Sequence, residues 1–99
     1  MIFRIEPGGR YRPAESILAR NIGDEILIVR THERGAAEEG AGFCLDGVGK
    51  LIWLLLDGEH TVQQVIDQVV EEFEASEEQV AADVFAFLDQ LASEGIISD

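Results

Sequence analysis

Residues Phe43 to Thr61 read FCLDGVGKLIWLLLDGEHT, and this stretch decides the fold. Phe43-Cys44-Leu45 is a short apolar strand, and Asp46 follows where a side-chain oxygen can accept the free N–H groups of a new helix. From Val48 the apolar positions run Val48, Leu51, Ile52, Leu55 and Leu56, a helical spacing, while Trp53 and Leu54 widen the stripe almost all round. Asp57-Gly58 closes the helix, because glycine tolerates the left-handed conformation of a helix end. A helix this apolar is expected at the centre of the core.

Upstream, Glu15 to Asn21 reads as a strand and Glu25 to Thr31 (EILIVRT) as a firmer one, rich in β-branched residues. Ile22-Gly23-Asp24 between them has the length of a hairpin turn. Alternation puts Leu27 and Val29 on one face of the second strand and Ile26 and Ile28 on the other, so both faces are apolar and this strand should be the best protected. His32 to Gly42 (HERGAAEEGAG) has no periodicity and reads as a loop. The brevity of the third strand, Phe43 to Leu45, suits a sheet edge, since short strands limit unwanted pairing. Met1 to Pro13, with Pro7, Gly8, Gly9 and Pro13, reads as an irregular lead-in.

Downstream, Thr61 and Gln64 form the T-x-x-Q of a capping box, and Val62, Val65, Ile66, Val69, Val70 and Phe73 recur at helical spacing. The run is β-branched, which favours a strand; the cap, the length and the spacing decide for a helix. Ser76 and Gln79 repeat the box ahead of a stripe of Val80, Val84, Phe87, Leu88 and Leu91, and Gly95 stops this last helix so that Ile96-Ile97 folds back. The expected architecture is one α+β domain, a three-stranded antiparallel sheet followed by three helices.

The 99 residues carry a net charge of −13, unevenly spread. All seven basic residues lie in the first fifty positions, and from Leu51 onward there are twelve acids and no Lys or Arg. A DNA-binding winged helix needs a basic recognition helix to displace counterions, so nucleic acid is not an expected partner. No run approaches the roughly 18 apolar residues of a membrane span, and no signal peptide opens the chain, so no membrane partner is expected. Cys44 is the only cysteine, which excludes an internal disulfide and fits a reducing, cytoplasmic setting. As a nucleophile Cys44 would need a basic neighbour and a base; with acids around it and only His32 and His60 in the chain, catalysis is not expected. Nor do these residues show metal-ligand spacing, and no cofactor is expected.

Leu45-Asp46, Ile52-Trp53, Leu56-Asp57-Gly58, Thr61-Val62, Asp83-Val84, Phe87-Leu88, Leu91 and Gly95-Ile96-Ile97 stand in an order and spacing that resembles the PqqD-like family, over roughly residues 15 to 97. These are the peptide recognition elements of ribosomal-peptide modification systems. The resemblance implies a winged helix-turn-helix-like fold without catalysis. It implies binding the leader of a precursor peptide and presenting it to a modifying enzyme, often a radical SAM enzyme. In the family the leader adds as a strand to the third strand and lies against the last helix. Here that means Gly42, Phe43, Cys44 and Leu45 on the strand, and Ala81, Phe85 and Leu88 as an apolar ridge beside the core stripe. The loop His32–Gly42 is longer than the short turn of the PQQ-pathway proteins, which argues against pyrroloquinoline quinone as the product served. The rival expectation is an acidic adaptor that docks a larger enzyme through its helices and binds no leader.

Overall fold

The computed structural model describes residues 5–30 and 43–98. In chain order the elements are β1 (Arg12–Pro13), β2 (Ile17–Ile22), β3 (Glu25–Arg30), β4 (Phe43–Leu45), α1 (Gly47–Leu55), α2 (Val62–Phe73), α3 (Glu77–Ser93) and β5 (Ile97–Ser98). The three strands and three helices expected from sequence are present, and β1 and β5 add a small two-stranded sheet.

The β2–β3 hairpin turns through Gly23-Asp24, with Gly23 at φ 61, a conformation open to glycine at no steric cost. β3 is the middle strand of the antiparallel order β2-β3-β4. Its Ile26 and Ile28 are buried, whereas Leu27 and Val29 are only half-buried, so one of its two apolar faces belongs to the core. Most of β2 is exposed.

α1 begins at Gly47, whose φ is 51, and the Asp46 side chain makes no capping hydrogen bond, contrary to the sequence expectation. The backbone alone starts the ladder, with Lys50 N–H donating to the Asp46 carbonyl at 3.2 Å. Ile52, Trp53 and Leu56 are buried, but Leu54, about 200° round the helix from Ile52, is 57% exposed. The helix therefore lines the core rather than running through it.

α2 has its complete capping box: Gln64 N–H donates to Thr61 Oγ1 at 3.1 Å, and Thr61 N–H donates to Gln64 Oε1 at 2.8 Å. Val62, Val65, Ile66 and Val69 are buried, which fixes the β-branched run as a helix through its packing. At α3 the box is half made. Ser76 Oγ accepts from Gln79 N–H at 3.2 Å, but the Gln79 amide turns forward to Asp83 Oδ1 at 3.1 Å. Val80, Val84, Leu88 and Leu91 form the buried stripe.

α3 ends in a Schellman motif around Gly95 (φ 72): Gly95 N–H donates to the Ala92 carbonyl and Ile96 N–H to the Leu91 carbonyl, at 3.0 and 2.9 Å. Ile96 and Ile97 are buried, and the strand they lead into pairs Arg12 with Ser98 and Pro13 with Ile97.

The lead-in is more ordered than its composition suggests. Tyr11 is buried, and its hydroxyl accepts from Glu6 N–H at 3.0 Å. Val62 N–H donates to the Gly9 carbonyl and Gln63 N–H to the Pro7 carbonyl, both at 3.0 Å. These donors are among the four that a helix start leaves unpaired, so the lead-in completes the cap that Thr61 begins. A Cβ at Gly9 would run into the Tyr11 ring, so any larger residue there has to displace that buried side chain.

Candidate functional site

The register of the sheet sets which backbone groups are free at its edge. Ile22 pairs with Glu25 across a two-residue turn, a pairing that requires both residues to exchange hydrogen bonds. Since successive residues of a strand point their N–H and C=O to opposite sides, Glu25, Leu27 and Val29 bond toward β2, and Ile26 and Ile28 toward β4. Ile26 pairs with Leu45 and Ile28 with Phe43. The backbone of Phe43 and Leu45 is thereby occupied by β3. Cys44, opposite Leu27, turns its N–H and C=O away from the sheet, and β4 is the last strand in the order.

The residues singled out from sequence separate into three groups. Gly42 lies outside the described residues, and Phe43 is placed by its backbone. Cys44 is exposed with a free thiol, on the face of the sheet opposite the core. Leu45 is buried, and Leu88 has no exposed surface at all. Leu88 therefore belongs to the core stripe and offers no surface to a ligand, which corrects its placement on an accessible ridge. Ala81 and Phe85 are half-buried, packed against the core and reaching the surface.

Phe85 joins Ile5, Ala86 and Asp89 in an open depression of about 350 Å³. Of these, Ile5, Ala86 and Asp89 were not singled out from sequence. The i, i+4 spacing of Phe85 and Asp89 is a helical signal that puts them on one side of α3. Ile5 comes from the lead-in, and no periodicity announces it. Its described lining is three apolar residues and one carboxylate.

Electrostatically the last two helices are uniform. Neither α2 nor α3 has a basic residue in its last turn, and α3 carries Glu77 and Glu78 in its first. The turn after α1 holds a compact acidic group: Asp57 Oδ1 accepts from the N–H groups of Glu59 and His60 at 2.9 and 3.0 Å, and His60 Nδ1 lies 2.9 Å from Oδ2. These bonds, the one from Glu59 N–H first, bring the Asp57 carboxyl from 3.8 down to about 2. Among the described residues no group of three or more His, Cys, Asp or Glu side chains could hold a metal ion, and no helix is long and apolar enough to cross a membrane.

Comparison with known proteins gives three findings. The family model of PqqD, coenzyme PQQ synthesis protein D, matches residues 29–97. A PqqA binding protein of Gluconobacter oxydans (strain 621H) is 36% identical over 73 residues, covering 74% of this chain and 69% of the relative. Among solved structures, TbiB1 in complex with the TbiA(beta) leader peptide superposes with a TM-score of 0.72 at 24% identity, covering 88% of this chain and 94% of the other; at that identity the likeness is one of fold. The sequence argument against pyrroloquinoline quinone rests on the 32–42 loop, which lies outside the described residues, and the similarity to a PqqA binding protein weighs against it.

Proposed function

Because the chain belongs to the PqqD family, we propose that it is a non-catalytic module that binds the leader of a ribosomally made precursor by strand addition and presents it to a modifying enzyme. In line with the family resemblance, that enzyme is a radical SAM enzyme. The relative named for binding PqqA and the fold shared with a leader-bound protein support peptide binding.

The observation that carries strand addition is the outward N–H and C=O of Cys44 on the last strand of the sheet. An extended peptide gains main-chain hydrogen bonds there without depending on any one side chain, while pockets for alternate side chains supply specificity. The depression at Ile5, Phe85, Ala86 and Asp89 suits an apolar leader residue with a Lys or Arg nearby to meet Asp89. Ala81 extends the same helix toward its start.

The test is an NMR titration with a synthetic PqqA leader, the peptide for which the relative is named, following the amides of 43–46 and 80–91. Shifts in both sets are expected. Shifts confined to residues 67–78 would replace this reading with that of an enzyme-docking adaptor.

A further inference from the structure

The helical half carries a second surface that neither the core nor the peptide edge uses. Leu54 is 57% exposed and Phe73 43%, and both stand over an open depression of about 190 Å³ whose other described lining residues are Gly47, Lys50, Leu51 and Glu72. Two large apolar side chains side by side on water are not needed for folding, and such patches mark sites of contact with other proteins. Among the described residues the depression shares no lining residue with the one at Phe85.

The charge around it selects the partner. α2 ends at Phe73 with Glu71 and Glu72 in its last turn and Glu74 as its cap, and α2 has no basic residue of its own in that turn. Carboxylates at the C-terminus of a helix meet the negative end of its dipole, an arrangement unfavourable in the free chain and relieved by an approaching cation. Lys50 also lines the depression and donates from its Nζ to the Asp24 carbonyl at 3.1 Å, which directs its ammonium toward the β2–β3 turn. A second copy of this chain is a poor occupant, since each copy carries a net charge of −13.

We infer that the Leu54–Phe73 surface between α1 and α2 docks the modifying enzyme, through an apolar side chain of that enzyme flanked by Lys or Arg. The identity of the partner rests on the peptide-presenting reading; the surface and its charge preference do not. One protein then holds the leader on its sheet edge and the enzyme on its helices, at separate faces.

The probe is a radical SAM peptide-modifying enzyme, immobilised, with the full chain flowed over it. A fluorescent leader peptide is titrated separately. The double variant Leu54→Ser/Phe73→Ser changes only exposed side chains and is expected to bind the enzyme about tenfold or more weakly, as loss of an interface anchor does. Its leader affinity should stay within about twofold. Glu72→Lys leaves the apolar pair in place and should slow association, and the wild-type on-rate should fall as salt is raised. Unchanged enzyme binding by the double variant overturns the inference, as does a parallel loss of leader binding. A wild-type chain that ignores the leader but binds the enzyme through this surface would sink the peptide reading and leave the docking face standing.

Discussion

Leu27 and Cys44 face each other across the β3–β4 ladder, yet neither bonds to the other: Leu27 turns its backbone to β2 and Cys44 turns its own to the outside. A one-residue strand shift would reverse this, giving Phe43 and Leu45 the outer edge instead. The parity of β4 therefore decides which residue offers its backbone to an added strand.

Proline at Cys44 tests that parity. It removes an N–H that β3 does not use, and the residue before it is already in a strand, as proline prefers. Leader binding should weaken by about 0.5–1.5 kcal/mol, the net worth of one hydrogen bond. Phe43→Pro, which removes a ladder N–H, should instead lower stability. Equal effects of the two on leader affinity, measured by isothermal titration with urea unfolding alongside, would mean that the edge is not where the peptide pairs.

Trp53 and Leu56 hold α1 to the core, at 6% and 3% exposure. Trp53→Ala should cost about 3–5 kcal/mol and Leu56→Ala about 2–5 kcal/mol, a large share of what stabilises so small a domain. A clear drop in the urea midpoint is expected for each. Leu54→Ala, on the exposed side of the same helix, should leave the midpoint close to wild type.

Gly9→Ala places a methyl group against the Tyr11 ring. Overpacking of this kind costs about 1–3 kcal/mol, and here it should also loosen the carbonyls that cap Val62 and Gln63. Faster amide exchange at residues 62–63 than at 65–69 would report the lost cap. Unchanged exchange there would show that Tyr11 moves aside without cost.

Asp57 is predicted to titrate at about 2 against 3.8 in the unfolded chain. A carboxyl whose folded pKa is depressed contributes stability that is fully present above the unfolded value and is lost as pH falls through the folded one. The bonds that Asp57 accepts in the turn after α1 should thus be fully present at pH 5 and weaken between about pH 4 and 2. A carbon-detected NMR titration of the Asp57 side chain reads the midpoint directly. A midpoint at the ordinary value would mean that the Glu59 and His60 bonds do not persist in solution.

Much of the fold is written locally in the chain. The Thr61–Gln64 box and the Gly95 stop concern residues within one turn of each other, so their partners are visible in sequence. Two local signals misled, for local reasons. Asp46 is followed by a glycine with positive φ, and Gln79 finds Asp83 one turn ahead. The lead-in was illegible because its caps are carbonyls, which every residue carries alike. For the site, the two-residue hairpin fixes the parity of β3, but twelve residues separate β3 from β4 and leave the register of Cys44 unspecified until the strands meet. Ile5 reaches Phe85 only through the tertiary fold.

The pairing of Arg12 with Ser98 closes nearly the whole chain into a ring. A contact between residues so far apart in sequence gains its hydrogen bonds only after everything between them has been ordered, and it contributes little to the early search. The β1–β5 clasp is thus a late event in folding, laid over a sheet and helices already in place. The lead-in that it holds also carries Ile5, one wall of the depression at Phe85. Loss of the clasp alone would leave Ile5 in place, because the Pro7 and Gly9 carbonyls and the buried Tyr11 tie the lead-in separately to the start of α2.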